Sequence, residues 1–267
     1  MSPVPCNVQT RSNTESKKFN DGREDDLHAY IFSPPRGESL RGDPIAVLNA
    51  IQDFTQSKTP MMTLTPHKID VFHDQLVTLQ AAGRTPKVIV ELGTYVGNSA
   101  VALGSMLKEL HGNDTDKTNR NDDGLRGCKV FSLELDAHFV DIARDLVDLA
   151  GLSDLVQIVH GPAADSVRKL HKEGVLDQID VLLLDHWEKF YLPDLQVCED
   201  LGLLKKGGLV VADNTDKPGA PDYVEYVKKG GREGKGWVRY ESRTLETTEK
   251  KGFPVSLNSG ISWIAPH

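Results

Sequence analysis

The feature that most constrains the fold is a pattern repeated five times. A short, continuous apolar run is followed each time by a stretch with apolar residues at helical spacing. The runs are KVIVELG (87–93), CKVFSLEL (128–135), LVQIVHG (155–161), IDVLLLD (179–185) and GGLVVADN (207–214). The stretches after them are 99–110, 137–151, 163–174, 191–204 and 221–230. An apolar run without polar alternation suits a strand covered on both faces. Strand–helix alternation on this scale predicts an α/β fold, with a doubly wound, mostly parallel sheet and helices on both faces. Two late runs, 236–246 and 260–266, read as a closing antiparallel pair, which brings the expected sheet to seven strands.

Upstream of the alternation, residues 25–32 read as a short helix. Residues 42–56 form a second helix, with Asp43 as cap and Pro44 in the first turn. Residues 65–83 form a third, capped by Thr65 and closed by Gly83. Residues 1–24 are polar and of mixed charge, and are expected to be a flexible arm before one domain spanning 25–267. The Asp-, Asn- and Gly-rich segment 111–127 reads as a surface insertion, and its acids do not match the spacing of an EF-hand loop.

Composition narrows the function. Of 267 residues 39% are hydrophobic, enough for a sizeable core, and the formal net charge of -8 disfavours nucleic acid as a partner. No apolar run approaches the ~20 residues of a membrane span. The N-terminus lacks the apolar stretch of a secretory signal. Cys6, Cys128 and Cys198 are odd in number and widely spaced, so reduced thiols and a cytoplasmic location are expected.

Ligands of such sheets bind beyond the carboxyl ends of the strands. The first strand ends in ELGTYVGNS (91–99), where Gly93 and Gly97 let the backbone approach a ligand and the next helix offers free N–H groups. The spacing is GxxxG, so the dinucleotide fingerprint GxGxxG is absent. Glu134 ends the second strand, where an acid can accept both hydroxyls of a ribose. The fourth strand ends in Asp185 and the fifth in Asp213–Asn214. If those strands are neighbours, two carboxylates and an amide oxygen converge. Two like charges so placed would repel and raise one pKa. A divalent cation resolves the conflict, and an all-oxygen ligand set favours Mg²⁺. The plainer alternative is that each Asp separately caps a loop. His186 suits packing or a hydrogen bond near a cofactor better than Mg²⁺ ligation. Trp187 can wall a flat pocket or be a buried structural indole.

Taken together, VELGTYVGNSA, SLELD, LLLDHW, YLPD, GLLKKG and VVADN…PGAPD resemble the catechol O-methyltransferase family, class I S-adenosylmethionine-dependent enzymes. The resemblance covers most of the chain after the arm. It implies that Glu91, Gly93, Tyr95 and Ser99 hold the methionine end of S-adenosylmethionine, with Met61 and the Thr63 backbone covering it. Glu134 would bind the ribose, with Leu135, His186 and Trp187 bordering the adenine. Asp185, Asp213 and Asn214 would bind Mg²⁺. An aromatic diol would complete the metal shell beside Asn214, its ring clamped by Trp187 and Pro218 and its second hydroxyl bonded by Glu246. A small molecule is therefore the expected partner, with no nucleic acid or membrane, and the chain a monomer or weak oligomer.

Three positions depart from the family. Its catalytic lysine directly after DHW is here Glu188, with Lys189 one residue later. A second gatekeeping Trp is replaced by Thr59, and the adenine-binding Ser-Gln pair by Ala163–Ala164, which leaves Ala163 at a cofactor position. The leading expectation is Mg²⁺-dependent methylation of a catechol-type hydroxyl, with Glu188 or Lys189 as base. The alternatives are a cofactor-binding protein with impaired catalysis, a methyltransferase with a non-catechol acceptor, and a nicotinamide-dependent oxidoreductase on a similar sheet.

Overall fold

The computed structural model describes residues 21–112, 125–232, 238–248 and 256–264. Four helices come first: α1 (Arg23–Phe32), α2 (Arg36–Leu40), α3 (Pro44–Ser57) and α4 (Pro66–Ala81). The alternating part follows, as β1 (Val88–Leu92), α5 (Asn98–Gly112), β2 (Lys129–Glu134), α6 (Ala137–Leu149), β3 (Val156–His160) and α7 (Ala163–Lys172). It continues with β4 (Ile179–Leu184), α8 (Tyr191–Asp200), β5 (Leu204–Ala212) and α9 (Pro221–Lys228), and closes with β6 (Tyr240–Thr248) and β7 (Ser256–Ile264).

The strands lie in the order β3-β2-β1-β4-β5-β7-β6. β1 to β5 are parallel, while β7 runs antiparallel to β5 and β6 antiparallel to β7. The chain winds from β1 outward to β3, then crosses back to β4 on the other side of β1. The ends of β1 and β4 therefore flank the topological switch point, where such sheets bind ligands.

β1, β2, β4 and the apolar part of β5 are buried on both faces, as their runs predict, whereas the edge strand β3 exposes Gln157 and His160. Ile89, Val130, Val181, Leu183, Leu209 and Val211 pack against the helices α1 to α6. Val90, Leu92, Phe131, Leu133, Leu182, Leu184, Val210 and Ala212 pack against α7, α8 and α9. The caps form as read: Asp43 accepts from the Ala46 N–H at 3.0 Å, and Thr65 accepts from Lys68 N–H.

Several expectations need correcting. The arm was expected to reach residue 24, but α1 begins at Arg23 and Glu24 is fully buried; residues 1–20 lie outside the described residues. The stretch 191–204 does not stay helical. α8 stops at Asp200, Gly202 turns with φ +66°, and β5 begins at Leu204, three residues earlier than its apolar run. The closing pair forms at 240–248 and 256–264, displaced from the predicted bounds. The helix α2 has five residues and no predicted counterpart. Of the insertion, positions 113–124 lie outside the described residues.

Candidate active site

Strand alternation decides which way the site faces. Glu91 and Ser132 are register partners on β1 and β2, on the face that carries Ile89 and Val130. The Ser132 hydroxyl donates to Glu91 Oε2, and Thr94 Oγ1 is bonded to Ser132 in turn. Glu91 is fully buried, and burial pushes its carboxyl up to about 7. The hydroxyls of Ser132 and Ser99 oppose that shift, and the charge of Glu134 adds to it. Glu91 Oε1 has no well-aligned hydrogen-bond partner, so the carboxyl has acceptor capacity left inside the protein.

The loop after β1 is set by two close approaches. Gly93 has φ +103°, and a Cβ there would lie 2.4 Å from the Asp185 carbonyl oxygen. The Asp185 N–H donates to Leu92 O at 2.9 Å, which locks the ends of β1 and β4 together. Gly97, at φ +93°, packs on Ala143 of α6. Between them Tyr95 adopts a left-handed conformation, φ +49°. Its N–H donates to Glu134 Oε2 at 2.8 Å, and the Asp136 N–H donates to Glu134 Oε1 at 2.9 Å. Burial still raises the Glu134 carboxyl above its ordinary value. Each of its oxygens accepts one such bond and keeps a lone pair for another donor.

Tyr95 also reaches away from the sheet. Its hydroxyl donates to Glu24 Oε1 at 2.6 Å, and its ring meets Phe139 edge-on at 5.0 Å. Burial and Glu24 both raise its pKa. Arg23, beside Glu24, donates to Pro60 O at 2.9 Å. Thus α1 touches the β1 loop and also the segment that carries Met61 and Thr63. Met61 packs on the core and Thr63 is half-buried. Sequence reading missed Glu24 because it stands in a run of polar residues.

The acids of β4 and β5 come together as expected for neighbouring strands. Leu184 and Ala212 are register partners, and the Asp213 N–H donates to Leu184 O at 3.0 Å. Burial, and next the charge of Asp213, raise the Asp185 carboxyl well above the carboxylate range. Lys68 lowers it, while Glu91 and Glu188 add to the rise. Asp213 is 4% exposed and its Oδ1 has no hydrogen-bond partner. Asn214 follows in a left-handed conformation, φ 51°. Lys68, one turn into α4, donates to Asp213 Oδ2 and lies 3.4 Å from Asn214 Oδ1. No sequence signal pointed to Lys68. Among the described residues no three His, Cys, Asp or Glu side chains form a metal-binding group, and the expected set has only two carboxylates.

The residues after Asp185 divide. His186 Nε2 lies 2.9 Å from Asp194 Oδ2, and its ring is 5.3 Å from Tyr191. Glu188 opens a 3-10 turn (Glu188–Phe190), half-buried and near enough to Asp185 to raise its pKa. The Lys189 ammonium instead lies 4.4 Å over the Trp187 ring, which is stacked on Phe190 at 6.4 Å. Leu135 is exposed, Ala163 opens α7, and Pro218 is exposed in the turn Thr215–Gly219. Glu246 is placed only as a register position on β6, opposite Asn258; its side chain lies outside the described residues.

A methyltransferase-domain family profile matches residues 90–215, the segment from β1 to the Asp213–Asn214 strand end. Catechol O-methyltransferase from Sus scrofa is 36% identical over 158 residues, 59% of this chain and 76% of that protein. The chain belongs to the catechol O-methyltransferase family. The Bos taurus catechol O-methyltransferase is 33% identical over 194 residues, 73% of this chain, and the match spans 63% of that enzyme's length. A Mycobacterium tuberculosis protein named a probable O-methyltransferase is 31% identical over 240 residues, 88% of this chain and 90% of its own. The fold also matches an O-methyltransferase from Bacillus cereus in complex with SAH, with TM-score 0.59 at 19% identity, covering 90% of this chain and 96% of that one. No helix among the described residues is long and apolar enough to cross a membrane.

Proposed function

We propose that this chain transfers a methyl group from S-adenosylmethionine to one hydroxyl of a catechol-type aromatic diol, with Mg²⁺ at the ends of β4 and β5. The carrying observation is the convergence of half-buried Asp185 and buried Asp213 beside the glycine loop at the switch point of the sheet. The donor set suits a hard cation: two carboxylates and an amide oxygen, with Asp213 Oδ1 buried and unpartnered. The β1 loop suits the cofactor. Glu91 and Ser99 offer acceptors for an ammonium, Gly93 and Tyr95 shape the turn, and Glu134 offers lone pairs for ribose hydroxyls. Met61, Thr63, Leu135, His186, Trp187 and Ala163 would border the cofactor. When bound, the cofactor supplies a sulfonium methyl and Mg²⁺ acidifies a phenol.

The chain's own residues then have distinct tasks. Methyl transfer to oxygen is an in-line displacement, so holding the acceptor in line is a large part of the work. Trp187 and Pro218 hold the aromatic ring, and Asn214 is its polar limit. Glu188 takes the hydroxyl proton, because its charge acts on Asp185 while Lys189 is occupied by the Trp187 ring. An impaired binder is the second reading, supported by Glu188 at the family's lysine position.

Two measurements test this. Calorimetry should show binding of S-adenosylmethionine and none of NAD. Glu188→Gln should lower kcat by about 10²–10⁴, whereas Lys189→Ala should act mainly on KM. Near wild-type turnover of both variants would remove the base assignment, and NAD binding in place of S-adenosylmethionine would remove the reaction class.

A further inference from the structure

The acid pair already holds a cation, and it belongs to the chain. Lys68 Nζ donates to Asp213 Oδ2 and lies 3.4 Å from Asn214 Oδ1, on two of the three residues assigned above to Mg²⁺. The pair is sheltered: the Lys68 side chain is 10% exposed and that of Asp213 5%. An Mg²⁺ ion sits about 2.0–2.1 Å from its oxygens, so an ion held by Asp213 Oδ1 and Asn214 Oδ1 would lie beside the ammonium that now bonds the same two residues. Two cations at that spacing would also repel. Lys68 has somewhere else to go. It stands on a flexible four-carbon stem in the first turn of α4, where Pro66, His67 and Asp70 are exposed.

We propose that Lys68 is a tethered occupant of the metal site, which holds Asp213 and Asn214 in the metal-free protein and leaves when a divalent cation binds. Loading the site and releasing Lys68 are then one event. The inference rests on the metal reading above and adds a consequence that reading lacks. Apparent metal affinity is scaled by the fraction of molecules in which the amine has left the site. The device eases the repulsion between the two acids when no metal is present.

The test uses the full chain without substrate. Lysine acetylation by an N-hydroxysuccinimide ester, read by peptide mass spectrometry, is compared with and without saturating MgCl₂. The rate at Lys68 should rise several-fold, while exposed Lys58 and Lys172 serve as unchanged controls. In parallel, calorimetry with MgCl₂ should show Lys68→Met binding at least about tenfold more tightly than wild type. Binding by Lys68→Met alone would also support the proposal. Unchanged Lys68 labelling in protein that calorimetry shows to be loaded would overturn it and leave the metal reading standing. No Mg²⁺ binding by either protein would overturn the metal reading and this inference with it.

Discussion

Glu91 is a carboxyl that the fold keeps close to neutral. Burial raises it from an ordinary 4.5 to about 7. The sign follows from linkage: an acid whose folded pKa is raised stabilises the fold fully below its unfolded value and loses that contribution as pH rises through the folded one. Between pH 4.5 and 7 the wild type should therefore lose stability relative to Glu91→Gln, by an amount of order 3 kcal/mol. Urea unfolding of both proteins at pH 5 and pH 8, without ligands, checks this; a gap that does not grow with pH contradicts it. Such a site would welcome a cationic group of a ligand, which is the role proposed for it. Asp185 is raised by the same cause with a like charge added. Its sequence signal was the acid that ends the neighbouring strand. Lys68 had no signal, because a lysine one turn into a surface helix reads as solvated charge and its partner lies 145 residues away. The same holds for Asp194, which orients His186 from the next helix.

At the scale of elements, the strand ends were legible and the edges of elements were not. The apolar runs placed β1 to β4 within a residue or two, because burial on both faces leaves no alternative to a continuous apolar run. β5 began early because Lys205 and Lys206 lengthen it beyond its apolar part; Lys205 pairs with Asp180, a buried acid that also accepts from the Lys87 and Val88 N–H groups at 2.9 Å. That acid anchors the entry of β1, and nothing in an apolar run announces it. The start of α1 was hidden for a related reason: Glu24 becomes a core residue only through Tyr95, 71 positions later. The ends of β1 and β4 approach closely at Gly93 and Asp185. Alanine there would meet a carbonyl oxygen at 2.4 Å in a conformation that favours glycine. Gly93→Ala should cost about 3 kcal/mol or more, read as a lower urea midpoint with unchanged slope, and should weaken S-adenosylmethionine binding. Full stability and binding would show that the β1 and β4 ends can separate freely.

On the scale of the molecule, helices on two faces hold a sheet whose switch point carries the loop, the acids and the lysine. The N-terminal helices belong to that arrangement: α1 bonds the loop through Glu24, and α4 delivers Lys68 to the acids. On the other side of the sheet, Glu199 accepts from Tyr226 and Tyr240 at 2.7 and 2.6 Å, joining α8, α9 and β6. Those bonds secure the closing strands without touching the site. The reaction proposed for that site is tested most directly by a methyl-transfer assay. The full chain, S-adenosylmethionine and a panel of catechols are incubated with Mg²⁺ and with EDTA. The account predicts a monomethylated catechol with Mg²⁺ and loss of product with EDTA. Absence of methylated product from every catechol, or equal product with EDTA, would contradict it.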